Sequence, residues 1–132
     1  MPRSAAKILI VEDNELNMKL LHDVLEVHGY ATITAREGHT ALALARDMQP
    51  QLILMDLQLP DISGLEAVRR LKSDPATSAI PVVAVTAFAM VGAAEKALAG
   101  GCDGYVAKPI QLRDFLDLVK RFVGTAGAGA LQ

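Results

Sequence analysis

Five polar residues stand where short apolar runs end: Glu12 and Asp13 after Lys7 to Val11, Asp56 after Gln51 to Met55, Thr86 after Pro81 to Val85, and Lys108 after Gly104 to Ala107. If those runs are buried strands of one parallel sheet, three carboxylates converge at its carboxyl edge. Like charges that close repel and raise one another's pKa, so the set is tolerable when a cation is held among them. Hard oxygen donors in small number, with room for water and a phosphate oxygen, suit octahedral Mg²⁺ better than Zn²⁺, for which the chain has no Cys or His cluster. An aspartate beside such a cation and a lysine can attack a phosphoryl group, because the surrounding charge neutralises the oxygens of a loose, in-line transition state. The product is an acyl phosphate on Asp56. Thr86 can then bond a phosphoryl oxygen, and the space its hydroxyl leaves can admit an aromatic side chain such as Tyr105. The small Ala87 leaves the site open to a phosphodonor. Alone, each residue has a bland reading as a turn former, a strand residue or a solvated charge. Their joint occurrence at successive strand ends is what points to a site.

The elements that must position these groups alternate along the chain as strand then helix, five times. Asn14 is a plausible N-cap for a helix reaching about His28, with Leu16, Leu20, Leu21, Val24 and Val27 as its apolar stripe and Gly29 as its stop. A second strand is expected over Ala31 to Ala35. The following helix, Gly38 to Met48, carries a stripe of Leu42, Ala43 and Ala45 and ends before Pro50. After the third strand, Leu57 to Gly64 reads as a loop, and Leu65, Val68 and Leu71 mark a third helix ending before Pro75. The fourth helix, about Met90 to Ala99, is the weakest. Its interior is mostly alanine with Val91 and Leu98 as the branched apolar residues, so it is expected to be mobile. Leu112, Phe115, Leu116, Val119 and Phe122 space a last helix over Gln111 to Val123. Alternation of this kind implies an α/β fold, a flavodoxin-like (βα)5 sandwich with parallel strand order 2-1-3-4-5, which sets the first and third strands side by side at the point where ligands bind. Asp13 and Asp56 become neighbours. Residues 1–6 are expected to be a flexible N-terminus, 7–123 the folded domain, and 124–132, which lack periodicity, a disordered tail.

Composition narrows the function. The chain has 132 residues, enough for one domain, with 52% hydrophobic and 21% charged residues, the profile of a globular protein. A net charge of −2 gives no basic surface for nucleic acid. No apolar stretch approaches a membrane span, and the N-terminus lacks the pattern of a signal peptide, so a cytoplasmic protein without membrane insertion is expected. The single cysteine, Cys102, can form no internal disulfide and reads as a small, partly buried turn residue. His22, His28 and His39 lie on or beside helices, away from the strand ends. Nothing in the pattern calls for an obligate dimer, and a monomer is expected.

With those residues in view, the chain resembles the receiver domain of two-component response regulators. The resemblance spans about Lys7 to Val123 and rests on Val-Glu-Asp-Asn (Val11 to Asn14), Met-Asp-Leu-Gln-Leu-Pro (Met55 to Pro60) with Gly64, Val-Thr-Ala (Val85 to Ala87) and Lys108-Pro109. It implies phosphorylation of Asp56, Mg²⁺ (with Mn²⁺ able to substitute) held by Glu12, Asp13, Asp56 and the Gln58 backbone carbonyl, and Thr86 with Tyr105 as a switch pair. It also implies a cis Lys108-Pro109 bond, and Gln58 and Phe88 as side chains that tune the lifetime of the acyl phosphate. The implied partners are a sensor histidine kinase or phosphotransfer protein, met through the first helix, and a downstream kinase or effector modulated by binding, in cell-cycle or cell-fate control. Val91-Gly92-Ala93-Ala94 is uncharged, a departure that bears on the partner surface and not on the phosphorylation site. Three other functions fit less well. An Asp-nucleophile phosphatase would place its nucleophile after the first strand with a second Asp two residues on, where this chain has Asp13-Asn14-Glu15. A flavin or nucleotide module needs a phosphate loop where Glu12 and Asp13 would repel phosphate. A degenerate, binding-only receiver is opposed by the intact set of five, while a passive phosphoryl shuttle remains an alternative output.

Overall fold

The computed structural model describes residues 7–86 and 92–123. Its five strands are β1 (Lys7–Val11), β2 (Ala31–Ala35), β3 (Leu52–Asp56), β4 (Val82–Thr86) and β5 (Gly104–Ala107); the helices are α1 (Glu15–Val27), α2 (Gly38–Met48), α3 (Gly64–Ser73), α4 (Ala93–Ala99) and α5 (Leu112–Val123). All strand pairs are parallel, in the order β2-β1-β3-β4-β5. The order follows from burial. β1, β3 and β4 are almost wholly apolar, and such strands are stable only with both faces covered. Alternate residues supply the two faces. Leu9, Val11, Ile53, Met55, Val82 and Ala84 join the helical residues Ala41, Ala45, Ala67, Val68, Leu71 and Ala97, so α2, α3 and α4 cover one face. Ile8, Ile10, Leu52, Leu54, Val83 and Val85 join Met18, Leu21, Leu25, Phe115 and Val119, so α1 and α5 cover the other.

β3 and β4 begin and end one residue later than their apolar runs, taking Asp56 and Thr86 into the ladder as partners of Val85 and Ala107. Polarity alone places such residues outside a strand, but pairing is a backbone property and continues through them. At the other end Pro81 has no N–H to donate, and its carbonyl accepts from the Ile53 N–H at 3.0 Å. α5 likewise starts at Leu112, one residue after the expected Gln111, whose carbonyl accepts from the Phe115 N–H at 2.9 Å. α4 is described from Ala93; Met90 and Val91, expected at its start, lie outside the described residues.

The apolar stripe of α1 differs from expectation. Met18, Leu21 and Leu25 are buried, whereas Leu16 and Val27 are 79% and 81% exposed. The helix carries apolar residues on two sides, and spacing alone does not say which side meets the sheet. Ala41 and Ala45 carry the burial of α2, with Leu42 half-buried and Ala43 exposed. On α5 Leu112 is exposed while Phe115 and Val119 are buried. Asn14 caps α1 as expected, its side-chain oxygen accepting from the Asn17 N–H at 2.9 Å.

Candidate functional site

The carboxyl edge of the sheet gathers the charged residues. The β1 to β2 ladder extends one residue past β1, where the Glu12 N–H donates to the Ala35 carbonyl at 3.0 Å. Glu12 is thereby held at the strand end with its side chain buried, 2% exposed. Its Oε2 accepts from the Asn14 N–H at 3.2 Å. Asp56, the last residue of β3, is buried as well, and its Oδ1 accepts from the Gln58 N–H at 3.0 Å. One carboxylate oxygen from each of Glu12, Asp13 and Asp56 lies within 4.8 Å of the other two, with Asp13 exposed to solvent. The Lys108 ammonium reaches into this set, 2.7 Å from Glu12 Oε1 and 3.5 Å from Asp56 Oδ2.

The electrostatics of that cluster are uneven. Burial, with the hydrogen bond to Asp56 second, raises the Glu12 carboxyl from 4.5 to about 7, although Lys108 and the Asn14 N–H pull the other way. Among the described residues, three carboxylates meet one ammonium here, that of Lys108. The donor set is all oxygen, three-fold anionic, open on the Asp13 side and short of positive charge, and it fits a hard divalent cation.

The loop after β3 is shaped by a close approach. The Gly64 N–H donates to the Leu57 carbonyl at 3.0 Å, and a Cβ at Gly64 would collide with the Asp56 carbonyl oxygen. Only glycine fits there. β4 and β5 bring the remaining groups. Thr86 is fully buried, and its carbonyl accepts from the Lys108 N–H at 2.9 Å. The Lys108-Pro109 peptide is cis. Tyr105 is half-buried, pairs in register with Ala84, two residues before Thr86, and packs on the face covered by α2, α3 and α4. Gln58 is exposed. Ala87 and Phe88 lie outside the described residues.

Residues 8–120 match the family profile of the response regulator receiver domain. The chain belongs to the response regulator receiver family. The polar-differentiation response regulator DivK of Brucella anthropi is 52% identical over 126 residues, covering 96% of this chain and 100% of the relative. The receiver domain of the sensor histidine kinase PA1611 of Pseudomonas aeruginosa, with a magnesium ion coordinated in its active site cleft, superimposes with a TM-score of 0.85 at 30% identity, over 92% of this chain and 99% of that one. The Mn²⁺-bound response regulator Rcp1 superimposes with a TM-score of 0.73 at 28% identity, over 88% and 90%. This receiver has the expected α/β flavodoxin-like fold and strand order, and by family it is a signalling regulator.

The three histidines of the receiver have partners other than the site carboxylates: His22 Nδ1 meets Thr32 Oγ1 at 2.6 Å, His28 Nδ1 meets the Val24 carbonyl at 2.9 Å, and His39 Nδ1 meets Asp61 Oδ2 at 2.8 Å. Cys102 is buried, and burial pushes its thiol up to about 11, so it is an unreactive core residue. No described helix is long and apolar enough to cross a membrane. One residue beside the site escaped sequence reasoning. Asp61, in the loop after β3, accepts from the backbone N–H groups of Gly38 and His39 at 2.8 and 2.9 Å. Those partners are more than twenty residues away in the chain, so no local motif announces them.

Proposed function

We propose that this receiver accepts a phosphoryl group on Asp56 from a phosphohistidine of a sensor histidine kinase or a phosphotransfer protein. A carboxylate oxygen of Asp56 forms the new P–O bond as the P–N bond breaks, and the departing imidazole nitrogen keeps the electron pair and takes up a proton. Glu12, Asp13, Asp56 and the Gln58 carbonyl would hold Mg²⁺, or Mn²⁺ in its place, which supplies positive charge to the transferring oxygens when bound. The observation that carries this reading is the convergence of three carboxylates within 4.8 Å with the Lys108 ammonium among them.

Each residue has a separate task. The Gln58 N–H orients the Asp56 carboxylate. Lys108 screens the buried charge beside Asp56 before transfer and is placed to pair with a phosphoryl oxygen after it. Thr86, sealed at the end of β4, can swing its hydroxyl toward that oxygen, with Tyr105 on the same face of the sheet filling the space left. Ala87 and Phe88 would border the entry of donor and water. The relatives named for polar differentiation support an output in cell-cycle or cell-fate control, delivered by phosphorylation-dependent binding to a downstream kinase or effector. In this reading residues 7–123 act as one receiver unit and residues 1–6 and 124–132 take no part in the chemistry.

Incubation with a radiolabelled, phosphorylated histidine kinase and Mg²⁺ tests the reading. Label should pass to the wild-type chain and not to Asp56→Asn; label retained by Asp56→Asn would overturn it. Transfer without any change in partner binding would favour the passive shuttle.

A further inference from the structure

The loop from Leu57 to Ser63 is tied to the site at both ends. At its start the Gln58 N–H holds Asp56 Oδ1, and at its end Gly64 is pressed onto the Asp56 carbonyl. Between those ties the loop has a third anchor, on a different element. The Asp61 carboxylate accepts from the Gly38 and His39 N–H groups, two donors that the first turn of a helix leaves without intrahelical partners, and its Oδ2 also meets His39 Nδ1 at 2.8 Å. α2 lacks the usual alternative, because Glu37 at its N-cap position makes no side-chain capping bond. Apolar packing supports the same junction. A Cβ at Gly38 would stand 2.5 Å from Ile62 Cγ1, so the helix start and the loop tip are in direct contact.

We propose that Asp61 is a positioning residue of the phosphorylation site: by clamping the loop after β3 onto the start of α2, it fixes the Gln58 backbone, which in turn aims the Asp56 carboxylate. The proposal rests on the reading of Asp56 as a Mg²⁺-dependent acceptor. Asp61 contacts neither the metal-binding carboxylates nor the phosphoryl group. Its effect passes through the Gln58 N–H···Asp56 Oδ1 bond and the Gln58 carbonyl, and groups that orient ligands from outside commonly govern metal affinity about 10- to 100-fold when removed.

The test is Mg²⁺ titration of the purified full chain, followed by amide NMR, alongside thermal unfolding without metal. Asp61→Ala should weaken Mg²⁺ binding about tenfold, with Asp61→Asn, which keeps one acceptor oxygen, in between. Gly38→Ala should weaken it too, although alanine is the better helix former, because the added methyl forces the loop off α2. Asp74→Ala is the control. That aspartate ties the end of α3 to α2 through Arg46, far along the helix pair, and caps the turn after α3 by accepting from the Ala76 N–H, so its loss should lower the melting temperature and leave Mg²⁺ affinity unchanged. Wild-type affinity in Asp61→Ala, or equal weakening in Asp74→Ala, would overturn the proposal. A wild-type chain that binds no Mg²⁺ would instead remove the reading of Asp56 on which it stands.

Discussion

Glu12 sets the charge balance of the site. Buried and hydrogen-bonded to Asp56, it has a carboxyl raised from 4.5 to about 7, so the folded metal-free chain binds a proton that the unfolded chain releases. The sign follows directly. This contribution to stability is fully present below about pH 4.5, declines as pH rises, and is gone above about 7. With chelator present, the melting temperature of the wild type relative to Glu12→Gln should fall between pH 5.5 and 8. An unchanged difference would place the proton elsewhere. Mg²⁺ needs the ionised carboxylate, so its apparent affinity should weaken as pH drops below about 7, approaching tenfold for each pH unit. The acids were legible as types at strand ends. Their partner was legible only as a Lys after another strand, because 96 residues separate Lys108 from Glu12 and no spacing rule predicts a 2.7 Å contact over that distance.

The helices differ in what holds them. α3 and α5 bury large side chains, whereas among the described side chains of α4, seven residues long, Ala97 is the fully buried one and Leu98 is exposed. Burial of one methyl-bearing side chain offsets little of the entropy of ordering a helix. Amides of α4 should therefore exchange with solvent faster than those of α3 and α5, as hydrogen-exchange mass spectrometry can report; equal protection would mean that other contacts stabilise it. In α1 the two apolar sides can be separated by mutation. Leu25→Ala empties a fully buried position and should cost about 2–5 kcal/mol, while Leu16→Ser and Val27→Ser should change stability by no more than about 0.5 kcal/mol. Denaturant midpoints decide between them. The existence and order of the helices followed from spacing, but the inward side of α1 did not, because residues at 16, 20 and 27 form as regular a stripe as those at 18, 21 and 25. Only packing on the sheet face that carries Ile8 and Ile10 of β1 distinguishes the two.

For the whole molecule, the parallel order β2-β1-β3-β4-β5 is what turns separate motifs into a site. It sets β1 beside β3, and so the acid pair beside Asp56, while β4 and β5 bring Thr86 and Lys108 to the same edge. That much was readable from five strand–helix units, since few sheet orders accommodate them. What joins the loop after β3 to α2 was not readable, because Asp61 resembles any turn aspartate until the helix start is folded against it. The central claim is that Asp56 is a metal-dependent phosphoryl acceptor whose occupancy is felt at β4 and β5. Amide NMR of the full chain in Mg²⁺, titrated with beryllofluoride as a phosphoryl mimic, tests it most directly. Resonance shifts should spread from Asp56 to Thr86, Tyr105 and α4 in the wild type and be lost in Asp56→Asn. Shifts confined to the metal-binding residues, or an identical response in Asp56→Asn, would contradict it.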